Sequence, residues 1–319
     1  MSTDFIMCAR NLTHGRTRFG SEPGETKYLE IPENELPSPS QSIKASVWAT
    51  QVMAEARAMC ADDEFGHLLV FIHGYNNDQP TVMKRHRRLK QDLAARNFRG
   101  TVVSFDWPTA NLAINYLEDR LDAKHTALQL VTDGLSLFVR RKRPGCNISV
   151  HILAHSMGAL VVREAFDDAD DRRHLAAENW LVSQVMFIGG DISSGSLSAG
   201  NSSSDSLYRH CVRLTNYTNR HDGVLALSNA KRLGVARRVG RAGLPDDAPV
   251  DKSVELDCSD YCQRIPAGQQ IIGDRGHSWH IGDPGFTDDI LMTMLGIDRQ
   301  SMFTREGSGS RLRLVKPPG

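Results

Sequence analysis

Short apolar runs alternate with helix-spaced stretches along this chain. Leu68 to Ile72, Thr101 to Phe105 and Ile148 to Leu153 are compact apolar blocks, and Gln184 to Ile188 and Cys211 to Tyr217 follow them. Blocks of this length suit strands of a parallel sheet covered on both faces. Between them apolar residues recur at helical spacing: Ile43, Val47, Val52, Ala56 and Met59 in residues 42–60, and Leu128, Val131, Leu135 and Phe138 in residues 122–140. That alternation predicts βαβ units and a doubly wound, mostly parallel α/β sheet. Phe5–Ala9 and Tyr28–Ile31 read as two edge strands, and Thr287 to Leu295 as a closing helix.

Other segments break the pattern. Residues 192–206 are rich in Ser, Gly and Asn and read as a mobile loop, and residues 240–253 as irregular chain. The stretch from Arg305, with its Gly-Ser pairs and Pro-Pro end, reads as a flexible tail. With no linker and no internal repeat, residues 1–304 are expected to form a single domain and residues 305–319 the tail.

Composition removes several function classes. The 319 residues carry 38 basic and 38 acidic side chains, so no charge excess points to nucleic acid or an anionic membrane. The strongest basic run is Lys84, Arg85, Arg87, Arg88 and Lys90. Val82, Leu89 and Leu93 are spaced for the opposite face of one helix, so the run reads as a solvated face. Six scattered cysteines do not form a disulfide scaffold, and Cys258 and Cys262 lack a second pair for zinc. No leader pattern and no bilayer-length apolar run is visible, so a soluble, cytoplasmic protein without integral membrane association is expected. Oligomeric state is not legible.

The chemistry concentrates at Ala154-His155-Ser156-Met157-Gly158, between the run ending at Leu153 and a helix-like stretch starting Ala159-Leu160. Strand, sharp turn with a central serine, then helix is the context of a nucleophile elbow. The turn needs small residues two before and two after the serine, and Ala154 and Gly158 supply them. The same five residues would also serve a plain turn whose serine caps the helix. A catalytic serine needs a base, and the base an acid that orients it. Asp222 follows the run ending at Tyr217, and Asp191 follows the run ending at Ile188; the order Ser, Asp, His favours Asp222. His277, in Gly276-His277-Ser278-Trp279-His280, is favoured as base over His280. His221 reads as a surface or supporting residue, and His155 as packed against a neighbouring strand loop. The segment His73-Gly74-Tyr75-Asn76-Asn77 closes an earlier strand. There Tyr75 is the expected second backbone donor of an oxyanion hole, beside Met157, with Gly74 supplying an unusual backbone angle.

Taken together, His73-Gly74-Tyr75-Asn76-Asn77, Ser104-Phe105-Asp106-Trp107-Pro108, the elbow and Gly276-His277-Ser278-Trp279 resemble a bacterial family of α/β-hydrolases long catalogued as a domain of unknown function. Tyr116 and Asp119-Arg120 are similar to its Tyr-x-x-Asp-Arg stretch. The resemblance spans about residues 65–282 and departs in two places: Asp222 is followed by Gly223-Val224-Leu225-Ala226-Leu227 instead of directly by an Ala-Leu stretch, and Trp279 stands where tyrosine is frequent. It implies a serine hydrolase of small-molecule carboxylic esters, with Ser156, His277 and Asp222 as triad and no metal or organic cofactor. Trp107, Asn111, Tyr116 and Trp279 are expected around the substrate. Acyl transfer, amide or thioester cleavage, or a catalytically idle binding scaffold would use the same residues.

Overall fold

The computed structural model describes residues 3–61, 64–109, 116–135, 137, 147–172, 180–231 and 236–316. Its frame is one sheet of eleven strands. In chain order they are β1 (Thr3–Thr13), β2 (Arg18–Pro32), β3 (Ser42–Ile43), β4 (Gly66–Ile72), β5 (Gly100–Asp106), β6 (Ile148–His155), β7 (Val182–Ile188), β8 (Cys211–Thr218), β9 (Ser253–Asp257), β10 (Arg305–Ser308) and β11 (Arg311–Leu314). They lie in the order β10-β11-β9-β8-β7-β6-β4-β5-β1-β2-β3. All pairings from β11 across to β1 are parallel, and antiparallel pairs occur at the two margins.

The helices are α1 (Ala45–Arg57), α2 (Gln79–Ala94), α3 (Tyr116–Gln129), α4 (Gly158–Asp170), α5 (Ser202–Arg209), α6 (Gly223–Lys231), α7 (Val239–Ala242), α8 (Ser259–Gln263) and α9 (Pro284–Met294). A π-helical stretch, Leu130–Leu135, continues α3. Strand β4 shows why both sheet faces need cover. Leu68, Val70 and Ile72 enter one core with α1 and α4, while Leu69 and Phe71 enter the other with α2 and α9. Successive side chains of a strand point to opposite faces, so a strand apolar at every position must be buried twice. Helix starts are written in the sequence as well. Asp78 accepts from the Thr81 N–H ahead of α2, and Asp283 from the Phe286 N–H ahead of α9, each followed by a proline in the first turn.

Three expectations are corrected. Neither β1 nor β2 is an edge strand: β1 pairs with β5 on one side and β2 on the other, and β2 pairs with β3 at Tyr28 and Leu29. Residues 192–206 hold a 3-10 turn, Ser194–Leu197, and the start of α5, which Asn201 caps through the Ser203 N–H. The segment from Arg305 is not a loose tail. It adds β10 and β11 to the sheet, and Arg305 is buried with its guanidinium on Asp289 at 2.6 and 2.7 Å. Asp289 also accepts from Tyr217 and Thr304, so both oxygens of its carboxylate are partnered inside the second core. Among the described residues no helix is long and apolar enough to cross a membrane.

Candidate active site

The sheet's winding reverses at β4, which has β5 on one side and β6 on the other. In open parallel sheets the carboxyl ends of strands at such a point border a crevice that can hold a ligand. Here β6 ends at His155, and Ser156 adopts φ 55°, a left-handed backbone that costs a non-glycine residue free energy. The turn is pinned on both sides. The Ser156 N–H donates to the Ile188 carbonyl at 2.9 Å, and the Ser156 carbonyl accepts from the N–H of Asp191 at 3.0 Å. A Cβ on Gly158 would lie 2.6 Å from the Ile72 oxygen and 2.8 Å from that of His73, so only glycine fits against β4. The residue capping α4 is Met157, with no side-chain cap bond, so Ser156 is not employed as a helix cap.

Asp222 stands between β8 and α6 and is 1 % exposed. Its Oδ1 accepts from the Leu225 N–H at 2.9 Å, and its Oδ2 lies 2.6 Å from His277 Nδ1. An acceptor-only carboxylate requires the proton on Nδ1, which leaves Nε2 as the proton-accepting nitrogen. His277 is held from behind, because Asp274 Oδ1 accepts from the N–H groups of both Gly276 and His277 at 2.9 Å. Gly189, at φ 53°, packs close beneath the ring: a Cβ there would be 3.2 Å from His277 Nδ1 and Cε1. Asp191 points to different company, with its Oδ1 3.2 Å from Arg238 Nε.

The loop after β4 is tied down from several directions. Asn77 Nδ2 donates to the carbonyls of Gly74 at 2.7 Å and Tyr75 at 2.9 Å. Arg10 bridges the Asn77 carbonyl at 3.0 Å and Asp106 Oδ1 at 2.8 Å, and Gln79 donates to Asp106 Oδ2 at 2.9 Å. Burial by itself would raise the Asp106 carboxyl, but the Arg10 charge and the hydrogen bond from Gln79 outweigh it and hold it well below the usual carboxylate range. His73 Nδ1 donates to the Gly74 carbonyl at 2.9 Å, and its Nε2 accepts from the Trp107 N–H at 3.2 Å. Gly74 is required by proximity rather than by backbone angle: a Cβ there would lie 2.7 Å from Ser156 Cβ. The positive φ in this loop belongs to Asn76, at 54°.

Ser156, His277, Tyr75, Arg85, Asp191 and the α6 residues Val224, Leu225 and Leu227 line one cavity of about 370 Å³, a size that holds a small organic molecule. A family described as alpha/beta hydrolase of unknown function (DUF900) matches residues 50–256. The chain belongs to this family.

Solved structures similar to this α/β-hydrolase include a dienelactone hydrolase from Anabaena variabilis ATCC 29413, with 14 % identity over 84 % of this chain and 87 % of that one, at a TM-score of 0.37. A cutinase-like protein from a Cryptococcus species matches at 14 % identity over 72 % and 90 %, TM-score 0.31. Acyl-protein thioesterase 2 from Zea mays matches at 12 % identity over 60 % and 87 %, TM-score 0.31. Similarity at this level carries nothing about substrate. No curated protein sequence matches.

Several expected site residues of the hydrolase lie elsewhere. Trp107 is fully buried, stacked on His73 at 5.6 Å with its Nε1–H on the His73 carbonyl at 2.8 Å; it braces the loop instead of lining the cavity. Trp279 is 2 % exposed and packs in the second core against Tyr261 and Phe286. Tyr116 begins α3, but its side chain, like all of Asn111, lies outside the described residues. Met157 is buried at the start of α4, where backbone N–H groups lack intrahelical partners. His221 is exposed. His280 is 1 % exposed against His155 and Phe286, and burial, reinforced by Arg85 and His277, holds it well below the usual histidine range.

The basic run on α2 is the largest correction. Lys84 alone of those five is exposed; Arg87 pairs with Asp4, Arg88 with Asp92, and Lys90 donates to the Thr3 carbonyl. Arg85 is 5 % exposed and reaches the site. Its Nη1 is 3.4 Å from His155 Nδ1, and His155 Nε2 is 3.1 Å from the His277 carbonyl. An arginine only donates, so His155 Nδ1 must accept and Nε2 must carry the proton to the carbonyl. Burial, with the positive neighbours, keeps that ring well below the usual range and therefore neutral. The residue before the serine thus links α2 to the loop that carries His277. Sequence spacing could have flagged Arg85, which sits three residues after Val82 and four before Leu89, next to the apolar stripe instead of opposite it.

Proposed function

We propose that this protein is a serine hydrolase that cleaves carboxylic esters through an acyl-enzyme. The observation that carries the reading is the 2.6 Å contact between Asp222 and His277 Nδ1, made beside a cavity that Ser156 also lines from a strained turn. In this mechanism His277 Nε2 takes the proton from Ser156 Oγ as the oxygen attacks the acyl carbon. It then returns the proton to the departing alkoxide. Asp222 stays ionised, fixes the imidazole tautomer and stabilises the imidazolium that forms. Backbone N–H groups of Met157 and Tyr75 receive the oxyanion. Water repeats the sequence on the acyl-enzyme and releases the acid. No step requires a metal or an organic cofactor.

A panel of p-nitrophenyl esters graded by acyl length tests this reading. Turnover should appear, be blocked by an active-site-directed phosphonate, and fall on the order of 10⁴-fold in kcat for Ser156→Ala. A folded Ser156→Ala protein within about tenfold of the parent would remove Ser156 from the mechanism. Product analysis with added alcohols and thiols separates hydrolysis from acyl transfer.

A further inference from the structure

Arg85 puts an arginine charge in the wall of the cavity that Ser156 lines, and among the described residues no carboxylate pairs with it. Its Nη2 donates to the Ile272 carbonyl at 2.7 Å and to Ser278 Oγ at 3.2 Å, and Nη1 to His155 Nδ1 at 3.4 Å. All three partners are neutral. Among the described residues no ion pair to Arg85 occurs. The nearby carboxylates have other duties: Asp222 holds His277, Asp191 faces Arg238, and Asp274 is exposed and accepts from the N–H groups of Gly276 and His277. Burial is the cause that pushes the Arg85 guanidinium down, to about 10, and no carboxylate opposes it. A cation nine-tenths buried without a counter-ion is costly, and the cost is offset when a ligand brings the anion. A guanidinium has five N–H donors, of which these contacts use three.

We propose that the ester accepted here carries an anionic oxygen group, a carboxylate or a phosphate, which Arg85 receives while the apolar remainder lies on Val224, Leu225 and Leu227. This rests on the hydrolase reading above. The segment beside Arg85 packs closely against the guanidinium. Gly273, at φ +117°, could not carry a side chain, since its Cβ would be 2.7 Å from Arg85 Nη2. A lysine would not substitute well, because its three donors equal the number these contacts already use, whereas the guanidinium keeps donors to spare. The competing view is that Arg85 only fastens the Ile272 carbonyl and the His155 tautomer. That role predicts no preference for charge in the substrate.

Matched esters decide between them. One pair is p-nitrophenyl hydrogen adipate and its methyl ester, with a third probe ending the same acyl chain in a phosphate. A second pair, 4-(carboxymethyl)phenyl butyrate and its methyl ester, places the charge on the alcohol side. In the parent protein at least one anionic probe should exceed its neutral partner in kcat/KM by about 10- to 100-fold, the worth of a charge-assisted hydrogen bond. The preferred probe then names carboxylate or phosphate. Arg85→Gln should bring that ratio near unity, and Arg85→Lys should keep part of it. Ratios below about threefold for every anionic probe overturn the inference, as does a ratio that survives in folded Arg85→Gln. If Arg85→Gln does not fold, the parent ratio and Arg85→Lys decide. Titrating the probes into Ser156→Ala reads binding without chemistry. Equal cleavage of neutral and anionic esters by the parent removes this inference and leaves the hydrolase. Selective binding of an anionic probe by Ser156→Ala, with no cleavage of any ester by the parent, removes the hydrolase and leaves the anion site.

Discussion

At the scale of single residues, the account turns on which carboxylate serves His277. Chain order favoured Asp222, and the geometry gives it the imidazole, while Asp191 goes to Arg238. The two therefore fail in different ways. In Asp222→Asn, the amide oxygen can keep the Leu225 N–H, but its NH₂ then meets His277 Nδ1 and favours the wrong tautomer. Turnover should fall on the order of 10⁴-fold with little change in Tm. Asp191→Asn removes the negative charge 3.2 Å from Nε of Arg238, itself 5 % exposed. It should lower stability, by about 3–5 kcal/mol for a buried pair broken on one side, and cost far less turnover. Ester kinetics and thermal melts of both variants check this; the reverse ranking would move the acid to the end of β7.

At the scale of elements, glycines mark where backbone segments must touch. Gly158 lies against β4, whereas a Cβ on Gly223, at the start of α6, would meet nothing within 4 Å. Gly158→Ala should destabilise by about 1–3 kcal/mol, the usual cost of forcing extra volume into a packed site. Gly223→Ala should be neutral or stabilising by about 0.4–1 kcal/mol. Urea unfolding of the pair reads the difference. The same scale shows what the sequence discloses. β4 to β8 are built on compact blocks rich in apolar residues, so their strands and parallel pairing were legible, and with them the elbow and the loops that follow each strand. β9 was missed because Glu255 interrupts a short run, and β10 and β11 because a Gly-Ser turn reads as a tail. Arg85 was misread because charge on a helix ordinarily means solvent, and only the fold brings α2 beside the residue preceding Ser156. The tryptophans Trp107 and Trp279 were misplaced for the opposite reason: an aromatic at a strand end can line a cavity or fill a core, and spacing does not distinguish the two.

At the scale of the whole molecule, stability should carry a signature from Glu255 on β9. It is buried, accepting from Thr218, from Asn216 at 2.9 Å and from the Leu244 N–H at 2.8 Å. Burial nonetheless pushes its carboxyl up to about 7 against these hydrogen bonds. The folded state thus holds this proton more tightly than the unfolded chain. Its stabilising contribution is full below the ordinary glutamate range and is lost as pH rises through about 7. Between pH ~5 and ~8.5 the parent should lose on the order of 1–3 kcal/mol relative to Glu255→Gln. Chemical denaturation of both proteins across that range checks it, and parallel profiles would contradict it. The central claim, that this fold exists to activate Ser156, has a more direct test. The folded protein is treated with a fluorophosphonate and the modified peptide is mapped by mass spectrometry. The account predicts one adduct per chain, on Ser156, with labelling lost in His277→Ala; an unmodified Ser156, or an adduct elsewhere, would contradict it.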